Sequence, residues 1–137
     1  MEGTASTALI CIPVQISLKL NWLVCMCYSP QWMAPENWSK DDNHYPHFYC
    51  QKNSDIFSVG MVLWELSDGT GALPWGNADI FEIRNHVLQQ KNRPFIPAGT
   101  PPDFASLIEN CWRDDPMHRP AAAEVFFIVQ NMANKVC

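Results

Sequence analysis

Two groups of residues have the types that chemistry needs. Cys25, Cys27, His44, His47 and Cys50 form the first, and thiolates and imidazoles are the ligands that suit zinc. Their spacing fits no standard knuckle, so loop and core positions account for them better than a metal site. The second group is the carboxylates Glu36, Asp41, Asp42, Asp55 and Asp103. No Ser-His-Asp arrangement can be argued from their order alone. Asp41 is the first Asp and His44 the first His, so nothing upstream of them supplies either group. Gly3 is the only glycine before Gly60, which excludes a glycine-rich, phosphate-cradling loop ahead of that point.

The elements that must position these residues follow from patterning. A chain of 137 residues that is 47% apolar, with six Trp and seven Phe, is long and apolar enough to build one core. Val14, Ile16, Leu18, Leu20 and Trp22 alternate with Gln15, Ser17, Lys19 and Asn21, and period two predicts a short half-buried β-strand near the N-terminus. Residues 37–53 have no clear period and read as an irregular connection. Ser54 then suits an N-cap for a helix from Asp55 to about Leu66, and this helix is apolar nearly all round, which predicts burial. Asp68-Gly69-Thr70-Gly71 stops it.

Pro74-Trp75-Gly76 marks a turn before a second helix, Asp79 to Gln89, with Ile80, Phe81, Ile83, Val87 and Leu88 expected inward. Prolines 94 to 102 keep the next connection non-helical. Phe104, Leu107, Ile108, Cys111 and Trp112 recur at amphipathic helical spacing and define a third helix. A last helix, Ala121 to about Met132, is expected to bury Val125, Phe126, Val129 and Met132.

The net charge of −5, with nine basic residues scattered along the chain, leaves no positive stripe for a nucleic acid. The apolar stretch from Ala8 to Cys27 is broken by Pro13, Lys19 and Asn21 and starts behind Glu2, which argues against a membrane span or a secretory signal. Six cysteines without framework spacing predict reduced thiols and a cytoplasmic protein.

Three separated motifs carry a family resemblance: Trp32-Met33-Ala34-Pro35-Glu36, Ser54-Asp55-Ile56-Phe57-Ser58-Val59-Gly60, and Cys111-Trp112 through Arg119-Pro120. Between them stand Leu63-Trp64-Glu65-Leu66, Pro74-Trp75 and Arg93-Pro94. Residues 28–133 thus resemble the C-terminal lobe of a protein kinase catalytic domain of the tyrosine kinase and tyrosine-kinase-like group. The resemblance implies a mainly α fold, a truncated helical C-lobe without its N-lobe, with residues 1–27 a divergent segment and 134–137 a tail.

It also implies roles. Ala34, Pro35 and Glu36 would end the activation segment, with Glu36 paired to Arg119 as a scaffold ion pair. Asp55 would hold the catalytic loop, although a plain acid at a helix start explains it equally well. Gly60 and Trp112 belong to the structural motif, and Val62 and Leu66 resemble the anchors beneath the adenine site. Ser29 and Trp32 would lie in the substrate-facing loop, Ser29 standing at a position that leans the ancestry toward serine/threonine specificity.

Phosphoryl transfer in this family needs a phosphate loop, a catalytic Asp and a Mg²⁺-binding Asp. The 137 residues carry none of them upstream of Ala34, and Asp103-Phe104-Ala105 lies on the wrong side of Glu36 to serve as the metal motif. ATP and Mg²⁺ are therefore cofactors expected of the intact family and not of this chain.

The expectation is a catalytically inactive, protein-binding pseudokinase-like piece that takes protein partners and no nucleic acid or membrane. Its alternative is the distal part of an active Ser/Thr kinase whose upstream exons are missing. A third reading is a scaffold that still binds nucleotide. Residues 1–27 are either a diverged family strand or unrelated sequence joined by splicing or a gene-model error.

Overall fold

The structure, a computed structural model, describes residues 29–38 and 52–136. The expected N-terminal strand and the Cys/His group lie outside these residues. Two short 3₁₀ turns, Pro30–Trp32 and Pro35–Asn37, precede helix α1, Lys52–Asp68. Helix α2 is helical over Ile80–Arg84 and continues as a π-helical turn, Asn85–Gln89. Helix α3 spans Pro102–Cys111, a 3₁₀ turn covers Pro116–His118, and α4 spans Ala122–Val136. No strand occurs among the described residues. The helical, C-lobe-like architecture is the one the motifs imply.

Helix α1 is the central element. Ile56, Phe57, Met61, Leu63 and Trp64 are buried against Leu107, Ile108, Cys111 and Trp112 of the α3 region, with Ala34 and Val125 completing the cluster. Gly60 lets α1 and α3 approach this closely. A Cβ there would meet the Cys111 Cβ at 2.8 Å and the Trp112 backbone nitrogen at 3.2 Å, inside the contact range that packed interiors allow.

A smaller cluster joins Met33 and Trp38 to Ile83 and Val87 of α2. Trp75 packs against both clusters. It occupies the third position of the Leu73–Gly76 turn, closed by Gly76 N–H donating to the Leu73 carbonyl at 2.9 Å. Its φ of 66° is a conformation that normally selects Gly or Asn at that position. Packing against both clusters and a stack on the His86 ring, 5.1 Å between centroids, offset the strain.

Several details differ from the sequence expectation. Helix α1 begins at Lys52, so Ser54 lies within its first turn rather than capping it. Asp79 does cap α2, accepting from the Phe81 and Glu82 amides while Glu82 returns to the Asp79 amide in a capping box. Only Ile83 and Val87 of α2 are buried, whereas Ile80 and Phe81 are exposed. In α4 the inward stripe is Val125, Ile128 and Met132, and Phe126 and Val129 face outward. Both stripes of α4 are apolar, and only the contact with α3 decides between them.

Candidate functional site

The residues of the expected site converge on the N-terminal half of α1. Arg119 sits in the extended backbone after the Pro116–His118 turn and is buried, with 6% of its surface exposed. Its guanidinium Nη1 and Nη2 donate to Glu36 Oε1 at 2.7 Å and Oε2 at 2.9 Å. The remaining donors reach the carbonyls of Asn53, Arg113 and Asp114 at 2.8, 2.8 and 3.2 Å. All five N–H groups of the planar fork are thereby used. The Ser54 hydroxyl donates to Glu36 Oε1 at 2.7 Å, which explains its buried place in the first turn.

Burial alone would push the Glu36 carboxyl up. Hydrogen bonds from Arg119 and Ser54, its own backbone and the Arg119 charge outweigh that and hold it below its ordinary value of 4.5. A second arginine mirrors the first. Arg93 Nε donates to the Trp112 carbonyl at 2.9 Å and Nη2 to Asp114 Oδ1 at 2.6 Å. The guanidinium carbons of Arg93 and Arg119 lie 5.0 and 5.2 Å from the centroid of the Phe57 ring, within cation–π range. The sequence offered Arg93 only as part of a motif, and neither the Phe57 contacts nor the Ser54 bond was legible, because each depends on long-range packing.

The Pro30–Trp32 turn is held from both ends of one residue. The Trp32 carbonyl accepts from the Ser58 hydroxyl at 2.8 Å, and the Trp32 indole N–H donates to the Glu65 carboxylate. Ser58 and Glu65 are two helical turns apart on α1, so the indole lies along that helix. Ser29 is exposed at the start of the turn, and Ala34 is fully buried behind it. Asp55 is exposed in the first turn of α1. Gly60 and Trp112 belong to the α1–α3 contact and not to the turn.

Cys111 is a packing residue. Burial, with a smaller contribution from Glu124, pushes its thiol up to about 11, so it stays protonated and unreactive. Shallow hollows between α3 and α4, of about 270 and 300 Å³, include no residue of the 29–38 segment. Among the described residues no group of three His, Cys, Asp or Glu side chains could hold a metal ion. No described helix is long and apolar enough to cross a membrane.

A central helix braced by a buried Glu–Arg pair, with a tryptophan-anchored turn at its side, defines the C-terminal lobe of a protein kinase. The family model for protein tyrosine and serine/threonine kinases matches residues 25–129, and the chain belongs to that family. It is 35% identical over 108 residues to a probable serine/threonine-protein kinase of Dictyostelium discoideum, covering 79% of this chain and 10% of the relative. It is 36% identical over 106 residues to the serine/threonine-protein kinase STY17 of Arabidopsis thaliana, covering 77% and 17%. With CTR1 of the same plant the identity is 32% over 102 residues, covering 74% and 11%. The chain therefore spans no more than 17% of the length of these relatives.

Proposed function

We propose that this chain serves as the substrate-side part of a protein kinase fold, presenting a rigid protein-binding turn, and that residues 1–137 alone transfer no phosphate. The observation that carries this is the anchoring of the 29–38 segment. Its Trp32 is bonded to Ser58 and Glu65, and its Glu36 to Arg119 and Ser54. Such bracing holds the 29–38 segment in one geometry, which suits a surface for a protein partner. The exposed Ser29, together with Ile80 and Phe81 on α2, gives a protein partner both polar and apolar contacts. Cysteines without framework spacing support a cytoplasmic setting.

The test is to incubate purified residues 1–137 with radiolabelled ATP, Mg²⁺ and a general protein substrate, and to melt the chain with and without ATP·Mg. The expected outcome is no label transfer and no rise in Tm. A nucleotide-dependent Tm rise would favour a scaffold that retains nucleotide.

The alternative, the distal part of an active Ser/Thr kinase, is favoured by one specific finding. The relatives are named as serine/threonine kinases and are much longer than this chain. An in-frame glycine-rich loop and catalytic Asp in transcripts extending upstream would establish it.

A further inference from the structure

Phe57 is fully buried in α1, and two cations stand over its ring. The guanidinium carbons of Arg93 and Arg119 lie 5.0 and 5.2 Å from its centroid. Like charges brought to one buried ring repel, and they stay there only where each has an anion of its own. Glu36 serves Arg119 and Asp114 serves Arg93. Asp114 also joins the two cations, because its carboxylate accepts from Arg93 Nη2 at 2.6 Å and its backbone carbonyl from Arg119 Nη2 at 3.2 Å. One chain of contacts thus runs from Glu36 through Arg119 and Asp114 to Arg93.

We infer that Arg93 is a positioning residue for the 29–38 segment, acting through Asp114, Phe57 and Arg119 on Glu36, so that the connection between α2 and α3 controls the geometry of the turn. The functional meaning of this role rests on reading 29–38 as a protein-binding turn. Arg93 is built in as a fixed point. Its side chain is only 12% exposed, and its Nη1 and Nε donate to the carbonyls of Asn92 at 2.7 Å and Trp112 at 2.9 Å. Two residues on, the Phe95 carbonyl accepts from the Trp64 indole at 2.8 Å, which fastens the same connection to α1.

Electrostatics carry the link further. Burial is the largest influence on the Arg93 guanidinium and lowers its pKa; the bond and charge of Asp114 raise it, Arg119 lowers it and Glu36 raises it. Arg93 therefore responds to both members of the Glu36–Arg119 pair while bonding to neither. Lys91 also approaches Asp114, at 4.0 Å, but it is 69% exposed, and water screens such a contact. It is no substitute for Arg93. Without Arg93, the Asp114 carboxylate loses its close partner, its carbonyl is no longer held toward Arg119, and Arg119 can swing away from Glu36.

The test follows hydrogen exchange in the isotope-labelled full chain. It needs neither partner nor nucleotide, so this role and the protein-binding reading can fail separately. The reporters are the Asn37 and Trp38 amides, which donate to the Ala34 and Pro35 carbonyls, and the Arg119 Nε–H, which donates to the Arg113 carbonyl. The comparison is Ile108→Val, which trims the same core without touching the charged groups, with urea used to bring both variants to equal global stability. Arg93→Gln is expected to speed exchange at the three reporters roughly tenfold over that control. Arg93→Lys keeps a cation at the ring and should hold the acceleration to roughly threefold. In a Glu36→Gln background the effect of Arg93→Gln should fall below about twofold. Asp114→Asn keeps the backbone carbonyl and removes the charge that holds Arg93, so it should speed the same reporters even where Arg93→Gln does not fold. Reporter rates equal to those of Ile108→Val in both Arg93→Gln and Asp114→Asn would make Arg93 a packing residue and overturn the proposal. So would an Arg93→Gln effect that Glu36→Gln leaves undiminished, or a Lys variant as fast as the Gln variant.

Discussion

Arg119 shows how much one side chain can hold. Its five donors tie the 29–38 segment, the start of α1 and the loop before α4 to one point. Removing it strands a half-buried carboxylate and three carbonyls, so Arg119→Ala is expected to cost about 3–5 kcal/mol in urea unfolding. Arg119→Lys should recover little of that, because a point ammonium cannot replace a planar fork. Acid titration isolates the Glu36 half of the pair. Its folded pKa is depressed below 4.5, so its contribution is complete above that value and is lost as pH falls through the lower folded value. The urea midpoint of the native chain should drop across that acid range, and Glu36→Gln should flatten the slope. An equally steep slope in the variant would place the pH dependence on other carboxylates.

The helices make a different demand, that two backbones approach. Gly60→Ala puts a methyl group 2.8 Å from the Cys111 Cβ and beside the Trp112 amide, where backbone and not a flexible side-chain end must yield. The expected loss is about 1–3 kcal/mol, read as a lower Tm with helical content retained, and an unchanged Tm would show that α1 and α3 have room to part. Existence and order of the four helices among the described residues were legible in the sequence because Gly, Pro and Asp punctuate apolar periodicity. The Glu36–Arg119 pair was legible through motif resemblance. Facing was not: Phe81 and Phe126 are 77% and 68% exposed although both fit an inward stripe. Periodicity finds an apolar face but cannot choose between two, and in α1, α2 and α4 both candidates are apolar. Ser54 misled for a related reason, since a serine at a helix start caps well in isolation and a distant carboxylate claimed its hydroxyl instead.

Across the whole molecule, apolar packing is divided unequally. Eleven buried residues form the cluster around α1 and α3, while four hold α2 to Met33 and Trp38. Trp75 packs against both, with a positive φ and a buried indole nitrogen that has no hydrogen-bond partner. Such a division favours opening of α2 as a unit below the global unfolding free energy. Native-state hydrogen exchange should therefore show Phe57 and Met61 amides exchanging only through global unfolding, and Ile83 and Val87 amides through a smaller opening. Trp38→Ala provides the decisive comparison, because Trp38 belongs to the small cluster alone. It should take about 3 kcal/mol or more from the α2 opening and shift the α1 amides much less. If both sets of amides shift by the same amount, the two clusters unfold as one cooperative body, and the α2 face, with its exposed Ile80 and Phe81, is as rigid as the braced turn beside it.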